Sequence, residues 1–568
     1  MKKLIVVLAV FAASSAIQAQ NLTADQKNTD FKYLASLYST YYAPVDWKMQ
    51  LLNFDALSIK PWLDRVAATK TDLDFYELCV EYVASLQDTH DHFALPSDFV
   101  AQLGFSVDVY DGAVLIDGVT RSLLPVSQYP FTIGDELVSV DGVPVAQLLT
   151  DYAKYVAYAN PISAKRMAAT RIVNRPQSRM PHATDVIGKS ATVVIKRQSG
   201  TTETYMIPWT TTGTPLVVGP TPSPKTSALK SRADVLPDDT PDYMKELINA
   251  QWSGTLDSED GVIGFGSRNP VFVNALANFA FTRRMGGNAA DFFYSGTFKF
   301  FELTIGYIRI PTYQPTSTTT ALQQFQQEVA YMQANTDGLI IDEMRNTGGS
   351  LCFGENIAAS LINYPFRATG FELRPYWTRI MGFYSSMVSA EAAGAPQEIV
   401  DQYQMLYNAM LTANQQGTTV TQSLPLCTSN LTRAPYAAAY TKPEMLLVDE
   451  FSMSTADSVA SMMQDSGRAV LFGNRTMGAG GNNSAGNVGS VVDAGPYSEG
   501  TTGLTLALQT RQKGRVVSGY PFTDLIENVG VWPEIPVDYM TKADLLQNGA
   551  PFVSAFLQHM AAEIRARK

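Results

Sequence analysis

The run from Gly338 to Ile341 is apolar and passes straight into a glycine-rich turn, Arg345-Asn346-Thr347-Gly348-Gly349, with a helix starting near Gly354. A second apolar run, Met445 to Val448, leads into a helix over Ser454 to Met463 and then a strand-like stretch, Ala469 to Phe472. Upstream, Gly306 to Ile310 reads as a strand and 319–333 as an amphipathic helix. Strands apolar along their whole length are covered on both faces. Strand, helix, strand, glycine turn, helix is an α/β pattern, so the expected fold class is α/β. At 568 residues the chain is too long for one ordinary core, and two to four domains are expected.

The first residues read as an export signal over 1–19. Lys2 and Lys3 precede an apolar run, Leu4 to Ala13, that is too short to span a bilayer comfortably, and Ala19 is a plausible last residue before cleavage. No later apolar stretch is long enough for a transmembrane helix. The mature protein is therefore expected outside the cytoplasm, periplasmic or extracellular. Apolar residues at 46% and charged ones at 17% fit a globular chain rather than a disordered one. The net charge of −11 and the absence of a Lys/Arg-rich run argue against a nucleic-acid partner. Three cysteines, Cys79, Cys352 and Cys427, exclude a disulfide-built scaffold but allow one bridge whose pairing the sequence leaves open. No Cys/His cluster has metal-ligand spacing, and no metal or cofactor is expected.

Residues 20–95 carry helical periodicity, through Phe31, Leu34, Leu37 and Tyr38 and again through Leu73, Tyr76, Leu78, Val80 and Val83. Residues 96–210 change to short alternating strands, at 105–109, 113–116 and on either side of Ser199-Gly200. Between them Ile133 to Val145 places a Gly134-Asp135 turn before a strand and an Asp141-Gly142 hairpin signal after it. A helix is expected over Gln147 to Ala157. This run resembles a PDZ domain, which implies capture of an extended peptide by β-augmentation. Residues 211–300 read as a linker and irregular insertion, rich in Thr, Pro, Ser and Asp up to 240. Residues 301–545 hold the α/β pattern, with a helical insertion near 385–415, and 546–568 read as a C-terminal helix.

Leu447-Val448-Asp449-Glu450-Phe451-Ser452-Met453-Ser454-Thr455-Ala456-Asp457, continued by Met463 to Gly473, resembles the nucleophile segment of tail-specific (C-terminal processing) serine peptidases. Gly338 to Gly349 resembles that family's strand and oxyanion turn. The resemblance implies a crotonase/ClpP-like α/β superhelix core and names Ser454 as nucleophile, with Ser452 disfavoured by its place in the motif. It also implies oxyanion donors from the turn, Gly348 and Gly349, and from Thr455. Asp465 matches an acidic position and is a possible support. Physical chemistry agrees in outline. A serine at a strand-to-helix junction is exposed to the helix N-terminus, which favours negative charge, and glycines let backbone donors approach a ligand. Outside this motif set, Ser454 would read as an ordinary helix N-cap.

One position departs from the commoner pattern. The lysine base of "T-x-G-K-G" is replaced in Thr476-Met477-Gly478-Ala479-Gly480 by Ala479, and nothing aligns Lys513 with the site. Leu86-Gln87-Asp88-Thr89-His90 and Ile526-Glu527-Asn528-Val529-Gly530-Val531 instead resemble the tricorn-like branch. That resemblance implies His90 as base, with Thr89 and Glu527 orienting it, and a histidine is suited to the task near neutral pH. His92 is a rival two residues on. The function implied is an exported serine endopeptidase acting on extended or unfolded polypeptide. The alternative, motivated by Ala479, is an inactive relative that binds peptides or apolar ligands.

Overall fold

In the computed structural model, which describes residues 21–55, 58–216, 241–251, 264–482 and 491–567, the two apolar runs lie side by side as strands Gly338–Asp342 and Glu444–Val448. The leader expected over 1–19 and residues 217–240 lie outside the described residues. The two strands are the middle of a seven-stranded sheet. Leu303–Arg309, Gly338–Asp342, Glu444–Val448, Ala469–Gly473 and Ile535–Pro536 run parallel, and Tyr294–Phe300 and Phe281–Met285 extend one edge antiparallel.

Side chains of a strand alternate between its faces, and here the alternation divides each apolar run between two cores. Leu339, Ile341, Leu446, Val448 and Leu471 face helices Thr318–Asn335, Leu351–Leu361 and Thr455–Asp465. Ile340, Met445, Leu447 and Phe472 face the C-terminal helix Ala550–Ala566, which lays Phe552, Phe556, Met560 and Ile564 against them. Burial on both faces is why the runs contain no polar break.

The sheet reaches back into the 211–300 segment that the sequence assigned to a linker and irregular insertion. Strand Phe281–Met285 is an edge strand whose Thr282, Arg283 and Arg284 are exposed, so it lacks the apolar run that marks a buried strand. The helical insertion is a hairpin of Trp377–Ala392 and Gln397–Gln416, starting earlier than residue 385, with its own core around Phe383, Tyr403 and Leu406.

The PDZ-like region forms a six-stranded antiparallel sheet with helices Val145–Tyr152 and Pro161–Val173 against it. The Asp141-Gly142 hairpin is present, with positive φ at both residues (50° and 78°) as a type I′ turn requires. Arg166 docks this region onto the catalytic sheet. Fully buried, it donates to Asp108 Oδ2 at 2.6 Å, to Tyr539 at 2.7 Å and to Glu450 of the turn before Ser454. The N-terminal helices pack over residues 492–506, and Phe93–Ala94 pairs with Thr501–Gly503. Among the described residues no helix is long and apolar enough to cross a membrane.

Cys352 and Cys427 are bonded, with Cα atoms 5.3 Å apart. Cys352 is the second residue of the helix that follows the Gly348-Gly349 turn, and Cys427 follows the inserted hairpin. The bridge closes 75 residues. Closing a loop of that length stabilises by roughly 4 kcal/mol in the chain-entropy account. Reduction, or a Cys352→Ser/Cys427→Ser variant, should lower the melting temperature by several degrees, and an unchanged thermal melt would refute a stabilising bridge.

Candidate active site

Ser454 ends the turn after strand Glu444–Val448 and begins helix Thr455–Asp465. Its backbone lies at φ 60°, ψ −111°, a region that costs an L-residue of order 1–3 kcal/mol and persists only where surroundings impose it. Three contacts impose it. The Ser454 N–H donates to Asp457 Oδ2 at 2.8 Å. The Met453 N–H donates to Asn346 O at 3.1 Å. Gly348 closes the third side, where a Cβ would lie 2.7 Å from Ser454 Cβ and 2.9 Å from Met453 O.

Asp457 is a hub. It also accepts the Gly478 N–H at 3.0 Å, the Ala479 N–H at 3.1 Å and the Thr476 hydroxyl. Burial pushes its carboxyl up to about 6 while these bonds pull it back. The turn where a lysine base would stand is thus held against the Ser454 turn, and the Ala479 methyl fills an apolar cluster with Tyr158, Phe451, Met453 and Met477. Lys513 is not near: its Nζ donates to Asp465 O at 2.8 Å.

His90 arrives from the loop after helix Asp72–Ala84. Its Nε2 lies 3.2 Å from Ser454 Oγ. Asp88 Oδ1 accepts the His90 N–H at 3.0 Å and stands 3.9 Å from Nδ1, a Coulombic distance rather than a hydrogen bond. Asp88 Oδ2 in turn accepts from Tyr42 at 3.0 Å.

Each of the other nominated residues has partners of its own. Thr89 Oγ1 accepts the Ala159 N–H at 3.0 Å, tying the loop to the PDZ region rather than orienting the ring. Glu527 Oε1 accepts from Lys48 Nζ at 2.6 Å, not from His90, and Oε2 is buried without a hydrogen-bond partner. The Gly348 N–H is committed to Asn346 Oδ1 at 2.9 Å, which removes it from the oxyanion donors. Gly349 O accepts from the Thr455 hydroxyl at 2.9 Å, clamping the glycine turn to helix Thr455–Asp465. Asp465 ends that helix about 16 Å from Ser454 along its axis. There it pairs with Arg511 at 2.7 Å and Arg515 at 3.0 Å, which hold its carboxyl below the usual range against burial, so it is a structural ion pair. Ser452 donates to Glu343 O at 2.7 Å and is fully buried. His92 lines a small cavity with Arg171 and Arg179.

Four residues that the sequence reading gave no role shape the site: Asp457, Asp88, Asn346 and Lys48. The Ser-x-x-Asp spacing of a capping box signals Asp457. Nothing local signals the others, whose decisive partners (Tyr42 for Asp88, Met453 for Asn346, Glu527 for Lys48) are distant in sequence. Gly348→Ala should keep the fold but displace the Ser454 turn. We expect labelling of Ser454 by a fluorophosphonate to fall about 100-fold, the scale at which misplaced catalytic geometry acts, and full labelling would refute the steric argument.

Residues 304–519 match the profile of Peptidase family S41, and residues 100–215 that of a PDZ domain. The chain is 25% identical to an uncharacterized protein of Chlamydia muridarum, across 99% of this chain and 97% of that protein. It is 24% identical to a protein of Chlamydia trachomatis, across 95% and 92%. Among solved structures, mature CPAF is similar with a TM-score of 0.70 at 19% identity, across 96% of this chain and 98% of that one. Mature CPAF complexed with lactacystin matches with the same score and identity, across 96% and 99%. The α/β peptidase core, the PDZ domain and the serine at the strand-to-helix turn thus agree: residues 304–519 form a family S41 peptidase domain, and the chain is a serine peptidase.

Proposed function

We propose that this peptidase is an exported endopeptidase that cuts extended or unfolded polypeptide, with Ser454 as nucleophile and His90 as general base. The observation that carries the reading is the 3.2 Å separation of His90 Nε2 and Ser454 Oγ, within reach for proton transfer. With its proton on Nδ1, facing Asp88, the ring presents a lone pair to the hydroxyl. Ser454 Oγ attacks the scissile carbonyl while Nε2 takes its proton. The imidazolium then returns that proton to the leaving amine, and water releases the acyl group by the same route in reverse. The helix N-terminus at Thr455 favours the oxyanion. No side-chain base at position 479 is needed.

Polypeptide is the substrate class of the family, and the PDZ sheet offers strand edges for an extended segment. Export is supported by the leader pattern over 1–19 and by the Cys352–Cys427 bridge, since disulfides persist in oxidising compartments.

The test is casein cleavage and fluorophosphonate labelling by the parent chain beside Ser454→Ala and His90→Ala. Both signals should vanish in Ser454→Ala, and cleavage should fall about 10²–10⁴-fold in His90→Ala. Cleavage persisting in Ser454→Ala overturns the nucleophile, and loss confined to that variant moves the base away from His90. Lactacystin, present in one of the matched CPAF structures, is a suitable competitor for the labelling. Cell fractionation with N-terminal sequencing should find a chain beginning at Gln20 outside the cytoplasm, whereas an uncleaved cytoplasmic chain would overturn export.

A further inference from the structure

Lysine is almost never fully buried unless paired, yet the Lys48 side chain, on helix Val45–Leu52, is 1% exposed. Its ammonium has three N–H donors, and three acceptors meet them: Gln87 O at 3.1 Å, Glu527 Oε1 at 2.6 Å and Asn528 Oδ1 at 2.6 Å. The first acceptor belongs to the residue before Asp88, in the loop that delivers His90. The other two belong to a loop more than 400 residues away in sequence.

The neighbouring groups close the same network. Trp47 Nε1 donates to Glu527 O at 3.0 Å, and Asn528 Nδ2 donates to Gln87 O at 2.7 Å. Gln87 and Asn528 both sit at positive φ, 49° and 62°, conformations that need such support.

We propose that Lys48 is a positioning residue of this peptidase: it locks the Gln87–His90 loop to the Glu527 loop and sets its positive charge against the Glu527 carboxyl. The proposal rests on the Ser454–His90 reading.

The groups facing Glu527 make the charge necessary. Asp88 and Asp91 come from the histidine loop, Asp457 from helix Thr455–Asp465 and Tyr42 from the C-cap of helix Ala24–Tyr41, and all are buried. Burial, and then the Asp88 and Asp457 charges, push the Glu527 carboxyl up to about 8, while Lys48 pulls it down by charge and hydrogen bond. Gly480 and Gly481 let their turn close on the Glu527 backbone and on the His90 ring. A Cβ on Gly480 would meet Glu527 N at 2.1 Å, and one on Gly481 would meet His90 Nδ1 at 3.1 Å. Glu527 and the His90 ring both border the Gly480-Gly481 turn, so ionisation of Glu527 favours the imidazolium formed when His90 takes the Ser454 proton.

The sign follows. Removing Lys48 raises the Glu527 carboxyl further, so the pH at which Glu527 ionises, and activity rises, moves alkaline. The experiment is the pH dependence of kcat and KM on a fluorogenic peptide for the parent, Lys48→Met, Lys48→Arg and Glu527→Gln, with a thermal melt of each. In Lys48→Met we expect kcat at pH 7 to fall about 10–100-fold with KM within about twofold, and the rise near pH 8 to move up by about one unit or more. Lys48→Arg should restore most of the activity and the parent profile. Glu527→Gln, which keeps the side-chain shape, should abolish the rise near pH 8, and it decides the matter if Lys48→Met does not fold.

A folded Lys48→Met with the parent profile overturns the proposal. So does a kcat loss equal at every pH that arginine fails to rescue, and so does a pH 8 rise retained in Glu527→Gln. A parent chain that cleaves nothing overturns the Ser454–His90 reading and this proposal with it, whereas cleavage lost in Ser454→Ala but unaltered in Lys48→Met overturns this proposal alone.

Discussion

The site depends on keeping Ser454 in a backbone conformation that a serine does not choose. Asp457 holds it by accepting the Ser454 amide while it also gathers the Gly478 and Ala479 amides and the Thr476 hydroxyl. One carboxylate thereby fixes two turns with respect to each other. Gly348 completes the constraint by what it lacks, since any Cβ there would occupy the space of Ser454 itself. The sheet below supplies the rigid base, because strand Glu444–Val448 is buried along its whole length between two layers of helices. Strain at one residue is tolerable because a large, well-packed core carries it.

Around this centre the chain buries an unusual amount of charge. Asp88, Asp91, Glu527 and Asp457 lie close enough to influence one another, and Lys48 is placed among them. Arg166 performs a similar task at the PDZ boundary, between Asp108 and Glu450. Buried ion pairs are a poor source of net stability, because desolvation offsets their attraction, but they are intolerant of misplacement. In both places they join segments that the sequence keeps far apart, and both adjoin the residues flanking Ser454 or His90. The PDZ domain is therefore continuous with the site: Thr89 takes the Ala159 amide, and Met453 shares an apolar cluster with Tyr158.

What was legible in the sequence was local. The α/β pattern, the Asp141-Gly142 hairpin and the serine at a strand-to-helix turn all follow from short spacings whose meaning is set by backbone geometry, and the family resemblance placed His90 where it meets Ser454. What was illegible was long-range or unmarked. Edge strand Phe281–Met285 has no apolar run because its arginines face solvent, so it vanished into a linker. Asp465 matched a motif position, yet the helix carries it a full length away from Ser454. Gly348 is required for space, while its amide is consumed by Asn346, a distinction that no spacing encodes. Lys48 carries no signal at all, since a lysine in an amphipathic helix reads as a solvated charge until its partners near residues 87 and 527 are known.

The hydrogen bond between His90 and Ser454 joins residues 364 apart, and the segments around them are stitched at still longer range. Asp30 accepts the Ser498 amide and Tyr38 meets Thr502, while Trp47 reaches Glu527. The first helices of the chain are thus pieces of a site whose other pieces are made last. A nascent chain on the ribosome has the serine turn only after most of its length has emerged, and the acidic partner later still. The contact between Ser454 and His90 therefore forms only once the N-terminal helices have closed on residues 498–528.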